Sequence, residues 1–304
     1  MPLDLAPRTL EHMPERVSVE VPATSANLGP GFDSLGVALD WTARFHFALA
    51  RRQERPANVI EQMALTAALA FYSRASLAPP PGIDVRYEGD LPVGRGLGVS
   101  AAARVAGVVA ANELTEAGHT PDTLLGIAVH LEGHGDNAVP AMLGGLQIVV
   151  SEDDALVHLR IDPPDDLHAV LLVPDFSMPT NESRKALPER LTRNQAVHNI
   201  GRAALLVGAI ATRKYDLLNV ATEDVLHQPA RAGIFAPMYQ IFQAARDAGA
   251  HGVYLSGGGS AIAAFATERF EDVAGAMREA AAAHGHAAQT RVCKLGGHGA
   301  RILE

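Results

Sequence analysis

The order of apolar and polar residues divides this chain into short strands and longer helices. Short apolar runs, and alternation of apolar with polar residues, are typical of strands, because successive side chains in a strand point to opposite faces of the sheet. The sequence predicts strands at residues 17–21, 35–49, 83–87, 144–150, 156–161 and 169–173, then a strand, a glycine loop and a strand over 252–265, and a last strand pair over 291–303.

Apolar residues that recur every three or four positions predict helices between these strands. The predicted helices cover residues 58–73, 101–114, 121–131, 191–214 and 271–283. Prolines and acidic residues cluster at 162–166, which favours a domain boundary there. We therefore expect a loose leader over residues 1–15, a first domain over 16–163 and a second domain over 164–304.

Composition narrows the class of protein. The chain has 304 residues, 48% of them hydrophobic, which is enough for well-packed cores. Its net charge of −9 and its three lysines argue against a non-specific nucleic-acid binder, because no basic run could neutralise phosphates. A single cysteine, Cys293, excludes an internal disulfide framework. No apolar stretch reaches the roughly 18 residues that span a bilayer, so we expect a cytoplasmic protein with no membrane partner.

One stretch, residues 91–103, is typical of a phosphate-binding loop. Gly94, Gly96 and Gly98 stand at alternate positions and lead directly into helix-forming residues. Glycine allows close approach of the backbone to a ligand, and the start of a helix offers unpaired N–H groups and the positive end of its dipole. No lysine follows the glycines, and their spacing is not that of a Rossmann fold. The loop therefore predicts an anion site outside those two standard nucleotide folds.

Two polar segments could complete such a site. Residues 22–33 are rich in turn formers, and Asn27 and Asp33 could hold a small polar ligand or merely cap local turns. In residues 130–137, the two histidines do not fit a zinc motif, because glycines interrupt the helix that the motif requires. Glu132 could instead bind a Mg²⁺ ion that bridges phosphates, or could cap the helix end.

Three segments in this order resemble the motifs of the GHMP kinase family: residues 22–33, 91–103 and 252–264. Residues 22–33, 132–140 and 299–304 are most similar to the homoserine kinases within that family. The resemblance implies a two-domain α+β fold, with a left-handed β-α-β unit in the N-terminal domain and a ferredoxin-like C-terminal domain. Sequence alone would favour the usual right-handed crossover.

The resemblance also implies an activity, namely ATP-dependent, Mg²⁺-assisted phosphorylation of the hydroxyl of L-homoserine, a step of threonine biosynthesis, by a homodimer. The residues that would hold ATP are Pro92, Val93, Gly94, Arg95, Gly96, Leu97, Gly98, Val99, Ser100, Ala101 and Ala102, with Asn58 beside the adenine. The residues that would bind homoserine are Asn27, Asp33, Asn137, Arg184, Arg231 and Gly257.

Ser100 and Glu132 match the positions that serve Mg²⁺, and Thr180, Asn137 and Arg184 those closest to the reacting groups. Charge pairing agrees with this assignment, because an arginine can hold the substrate carboxylate while Asp33 takes its ammonium. An amide cannot accept the hydroxyl proton, so we expect Asn137 to orient the substrate rather than to act as a base.

The chain departs from the family pattern in both glycine loops. Val99 replaces a serine that is usual in the phosphate loop, and Gly258 and Ser260 stand where serine and proline are common. Two alternatives therefore stay open: a kinase of the same family for another small alcohol, such as mevalonate or shikimate, or a nucleotide-binding protein without catalytic activity.

Overall fold

The computed structural model describes residues 14–152, 155–178 and 180–303, so the predicted leader lies almost wholly outside the described residues. Within these ranges the strands are β1 Arg16–Ala26, β2 Leu35–Ala50, β3 Gly82–Glu88, β4 Leu146–Glu152, β5 Ala155–Ile161, β6 His168–Pro174, β7 Gly252–Leu255, β8 Ile262–Ala266, β9 Ala288–Lys294 and β10 Arg301–Leu303. The helices are α1 Val59–Arg74, α2 Val99–Leu114, α3 Pro121–Glu132, α4 Ala138–Leu143, α5 Thr180–Lys185, α6 Arg193–Ala211, α7 Leu218–Ala221, α8 Gln228–Ala232, α9 Met238–Asp247 and α10 Phe270–Ala283.

The first sheet is built around the long strand β2. Its order is β10-β1-β2-β4-β5, and β3 also pairs with β2. β3 and β4 both run antiparallel to β2, at opposite ends of it, so they are parallel to each other. The chain between them passes through α2, α3 and α4, which makes a β-α-β crossover. The predicted left hand of this crossover stays a prediction.

The second sheet has the order β7-β8-β6-β9, with every pair antiparallel. Along the chain its elements run strand, helices, two strands, helix and strand, which is the ferredoxin-like arrangement that the resemblance implied. Helices α9 and α10 bury Ile241, Phe242 and Met277 in one core with the sheet residues Val253 and Ile262.

Helix α2 is buried in the same core as strands β1 and β2, and this position fixes the loop that precedes the helix. Its side chains are small, and Ala101, Ala102 and Ala106 are fully buried. A side chain at Gly107 would overlap the carbonyl of Ala64, so glycine allows α1 and α2 to pack closely. None of the helices that the structure describes is long and apolar enough to cross a bilayer.

The prediction of a last strand pair over residues 291–303 is wrong. β9 pairs with β6 in the second sheet, whereas β10 pairs with β1 in the first. Glycines at 296 and 297, both with positive φ, let the chain turn between the two sheets. An alternating pattern predicts that a segment is a strand, but it does not say which strand it pairs with.

Five of the helices within the described ranges were not predicted: α4, α5, α7, α8 and α9. The first four have only four to six residues, too few for a 3.6-residue period to show. α9 differs, because its buried residues Met238, Ile241, Phe242 and Ala245 follow the helical spacing, and this signal was present in the sequence.

Candidate active site

A cleft lies where the three motif segments meet, at the start of α2. Its lining includes fourteen of the predicted site residues: Asn27, Asp33, Val93, Gly94, Gly96, Leu97, Gly98, Val99, Ser100, Glu132, Asn137, Arg184, Arg231 and Gly257. It also includes residues that the sequence analysis did not assign to the site: Phe32, Val59, Ile60, Met63, His134, Asp136 and Gly258.

Five predicted residues with described side chains do not line this cleft: Asn58, Pro92, Arg95, Ala101 and Ala102. The side chain of Thr180 lies outside the described part of the chain. Asn58 caps α1, because its side-chain oxygen accepts a hydrogen bond from the N–H of Glu61. Arg95 donates to the carbonyls of Pro174 and Asp175, at 2.9 and 2.5 Å, so its guanidinium anchors the loop to the end of β6.

The glycines of the phosphate loop allow the three segments to interlock. Gly96 and Gly98 both have positive φ, and a Cβ at Gly96 would overlap the carbonyl of Ser256, while one at Gly98 would overlap the hydroxyl of Thr24. The Ser256 hydroxyl donates to the carbonyl of Gly96 at 2.7 Å, and the N–H of Thr24 donates to the carbonyl of Leu97 at 3.2 Å. The third glycine motif, residues 252–264, therefore packs against the loop over residues 91–103 and holds it through Ser256.

The N-terminus of α2 offers backbone donors to an anion. Gly98 is its N-cap, in the left-handed conformation, and no side chain caps the helix. The first backbone hydrogen bond of the helix runs from the N–H of Ala102 to the carbonyl of Gly98. The N–H groups of Val99, Ser100 and Ala101 therefore have no partner within the helix. Val99 is only 6% exposed and belongs to the hydrophobic core, so the departure from serine places an apolar group against the core and leaves these N–H groups in place.

Two side chains with oxygen atoms that could bind a metal ion lie beside the start of α2. The hydroxyl of Ser100 donates to Glu132 Oε1 at 2.6 Å, and Arg104 forms an ion pair with the other carboxylate oxygen of Glu132. Burial lowers the pKa of Arg104. A hydroxyl and a carboxylate are the hard ligands that Mg²⁺ prefers, so this donor set fits the ion.

The predicted substrate residues Asp33 and Arg184 bind each other. Two parallel hydrogen bonds of 2.9 and 2.5 Å join the guanidinium to the carboxylate, and this pairing raises the pKa of Arg184. The ring of Phe32 lies beside both arginines, with its centroid 5.2 Å from the Arg184 guanidinium carbon and 5.6 Å from that of Arg231. Arg184 thus reaches the cleft with its charge already paired.

Arg231 is the more deeply buried arginine, with 2% of its surface exposed. Its Nη1 donates to the carbonyl of Gly257 at 3.0 Å and to His227 Nδ1 at 2.8 Å. Its Nε is buried without a hydrogen-bond partner among the described residues. Burial, together with the nearby charge of Arg184, lowers the pKa of Arg231 to about 10, so the guanidinium remains protonated at neutral pH.

Amide side chains hold the walls of the cleft together. Asn27 donates to the carbonyl of Gly257 at 2.9 Å and accepts from the N–H of Asp33 at 3.0 Å, so it both caps its turn and bridges to the third motif. Asn137 accepts from the hydroxyl of Thr24 at 2.8 Å and donates to Asp136 at 3.3 Å. These contacts fix the orientation of the Asn137 amide.

The sequence analysis did not predict a cluster of two aspartates and a histidine in the cleft. Carboxylate oxygens of Asp33 and Asp136 and a ring nitrogen of His134 lie within 4.8 Å of one another, and His134 Nδ1 is 2.5 Å from Asp136 Oδ1. His130 lies on the exposed surface of α3, so the two histidines of residues 130–137 do not act together. The acid-rich segment was visible in the sequence, but its distance to Asp33 was not.

Known proteins with similar sequences and structures identify the family. Residues 58–145 match the family described as "GHMP kinases N terminal domain", and residues 202–283 match "GHMP kinases C terminal". The homoserine kinase of Desulfitobacterium hafniense is 36% identical over 94% of this chain and 100% of that protein. The homoserine kinase of Moorella thermoacetica is 37% identical over 94% and 99%. The crystal structure of homoserine kinase from Cytophaga hutchinsonii superposes with a TM-score of 0.86 at 27% identity, and covers 98% of this chain and 100% of that one.

Proposed function

The chain belongs to the GHMP kinase family, and from this membership we propose that it is a homoserine kinase. It transfers the γ-phosphate of ATP to the hydroxyl of L-homoserine and yields O-phospho-L-homoserine for threonine biosynthesis. The observation that carries the assignment is that one cleft is lined by the start of α2, which can bind an anion, by the buried Arg231 and by the carboxylates of Asp33 and Asp136. We also propose that it acts as a homodimer in the cytoplasm.

The nucleotide is held mainly by the backbone. The N–H groups at the start of α2 and the helix dipole bind the phosphates, because both favour negative charge. The apolar side chains of Val59, Ile60, Met63 and Val93 line the same cleft and offer a surface for the adenine ring. Asn58 contributes indirectly, since its cap fixes the start of α1 next to Val59.

Mg²⁺ would be held by Ser100 and Glu132, whose oxygens are 2.6 Å apart. When bound, the ion neutralises the charge that develops on the transferred phosphoryl group. Arg104 forms an ion pair with Glu132, and this contact together with the Ser100 hydrogen bond fixes the position of the carboxylate.

The amino-acid substrate needs one site for each of its charges. Arg231 is suited to the carboxylate, because its Nη1 is occupied while its Nε has no partner among the described residues. Asp33 and Asp136 are suited to the ammonium, because their carboxylates lie close together. Asp33 also holds Arg184 in place. Mevalonate and shikimate carry a carboxylate but no ammonium, so this pair of acids favours homoserine over both.

Catalysis by these residues consists of positioning and charge stabilisation rather than covalent chemistry. The Asn137 amide, fixed by Thr24 and Asp136, orients the hydroxyl of homoserine for in-line attack. An amide does not take up the hydroxyl proton, so Asn137 is not a general base. Arg184 adds positive charge on the substrate side of the cleft.

A coupled assay of ADP release tests the proposal with homoserine, mevalonate and shikimate as acceptors at saturating Mg·ATP. We expect turnover with homoserine at least a hundredfold above that with the other two. Turnover with mevalonate or shikimate instead would identify a different alcohol kinase. ATP binding by calorimetry with no turnover of any acceptor would identify a binding protein without catalytic activity.

A further inference from the structure

A fully buried histidine lies directly behind Arg231. His227 precedes α8, and Arg231 follows it by one helical turn, so both side chains lie on the same side of that helix. His227 Nδ1 is 2.8 Å from Arg231 Nη1, and His227 Nε2 is 2.7 Å from the carbonyl oxygen of Gly29. The imidazole therefore bridges the arginine and the first motif segment.

The partners of His227 determine its tautomer. A guanidinium only donates, so Nδ1 must accept from Arg231, and a carbonyl only accepts, so Nε2 must carry the proton. Both bonds can form only in the neutral ring. Burial lowers the pKa of His227 to about 4, although the charge of Asp224 opposes this shift.

Asp224 holds this arrangement from the other side. Its carboxylate accepts from the backbone N–H groups of Leu226, His227 and Gln228, at 3.0, 2.8 and 2.7 Å, and from Asn199 Nδ2 at 2.6 Å. Four donors therefore satisfy a carboxylate that is buried. This set of contacts fixes the backbone from which both His227 and Arg231 extend.

We propose that His227 is a positioning residue for substrate binding, which holds the Arg231 guanidinium so that its Nε and Nη2 remain for the homoserine carboxylate. This inference rests on the proposed function. The two protons of Nη1 are taken by His227 and by the carbonyl of Gly257, which stops rotation of the guanidinium. The Gly29 contact in turn fixes the imidazole plane.

The test compares two substitutions of His227. His227→Phe retains a ring but offers Arg231 no acceptor, whereas His227→Asn retains an acceptor near the position of Nδ1. We expect His227→Phe to raise the KM for homoserine about tenfold or more and to leave the KM for ATP within twofold. His227→Asn should stay within about threefold of the unmodified protein for both substrates. Equal losses in both variants, or equal rises in both KM values, would overturn the proposal.

A double-substitution cycle separates this inference from the proposed function. In an Arg231→Ala background, His227→Phe should change the KM for homoserine by less than twofold, because its effect acts through the arginine. If Arg231→Ala itself leaves that KM unchanged, the proposed carboxylate contact is wrong. If Arg231→Ala raises it but His227→Phe does not, the positioning role alone is wrong.

Thermal unfolding of each variant shows whether it folds. Should His227→Phe not fold, His227→Gln replaces it, because its amide can reach the Gly29 carbonyl but places no acceptor at the Nδ1 position. The same outcome is expected, with a homoserine KM raised in His227→Gln relative to His227→Asn. Equal KM values in these two variants would overturn the positioning role.

Discussion

Replacement of Arg231 by alanine tests the substrate-binding half of the cleft most directly. Arg231 is 2% exposed, so water screens its interaction with a carboxylate only weakly. A hydrogen bond to a charged group contributes about 1.5–3 kcal/mol, and the arginine fork offers two. Arg184 cannot replace it without giving up Asp33, to which both of its Nη atoms are bonded.

We expect a loss of about 3 kcal/mol, because water rehydrates part of the freed carboxylate, and this corresponds to about a hundredfold in kcat/KM for homoserine. The change should fall mainly on KM, since the carboxylate does not take part in the reaction and binds alike in ground and transition states. The KM for ATP should stay within twofold. Arg231→Lys should give an intermediate loss, because it retains the charge but not the fork.

The measurement is a steady-state assay with each substrate varied in turn, together with thermal unfolding. Arg202→Ala is the matched control, because it removes an arginine that is hydrogen-bonded to Glu223 at 2.7 Å and does not line the cleft. It should leave both KM values unchanged. A folded Arg231→Ala protein with an unchanged KM for homoserine would refute the reasoning, as would equal rises for homoserine and ATP.

Three further predictions concern the loop, the metal ligand and the buried histidine. Gly98→Ala should abolish ADP binding in calorimetry, whereas Gly118→Ala, with the same φ of +66° but open space around it, should bind normally and lose only about 1 kcal/mol of stability; equal effects would argue against steric crowding at Gly98. Glu132→Gln should raise the Mg²⁺ concentration for half-maximal turnover about tenfold or more and destabilise the fold through the unpaired Arg104; an unchanged Mg²⁺ titration would remove Glu132 from the metal site. The native pKa of about 4 at His227 lies below the ordinary 6.5, so the unfolded chain binds the extra proton between these values and stability falls by about 3 kcal/mol as the pH drops through the whole window. Denaturant unfolding at pH 7 and pH 5 covers part of that window and should show a fall of about 2 kcal/mol; the same fall in His227→Asn would assign it to other groups.

The glycine loop over residues 91–103 was predictable as local structure because its signals are local. Alternating glycines, the helix after them and the absence of a lysine are all properties of neighbouring residues, and the structure places that loop at the start of α2. Local reasoning was less successful for Asn58 and Arg95. Asn58 caps its helix and Arg95 binds the carbonyls of Pro174 and Asp175, which are contacts that a loop motif does not encode.

The pairing of charged residues at the proposed homoserine site could not be predicted from the sequence. Asp33 and Arg184 are 151 positions apart, and each alone is suited to a substrate charge. Only the fold brings them within 2.9 Å, so that they satisfy each other and leave Arg231 as the arginine of the cleft whose buried Nε has no partner among the described residues. The role of His227 depends on the same long-range contacts, since the Gly29 carbonyl lies 198 positions away.

By itself the sequence determined most of the strands and the longer helices, the three glycine-containing segments and the family to which they belong. These follow from periodicity, from turn chemistry and from short motifs, which act over a few residues. The tertiary structure alone decided that β10 joins the first sheet, that Asp136 approaches Asp33, and which arginine remains available to a ligand. The reason is that sheet partners and buried charge pairs are selected by packing and desolvation between distant segments, and neither leaves a local pattern.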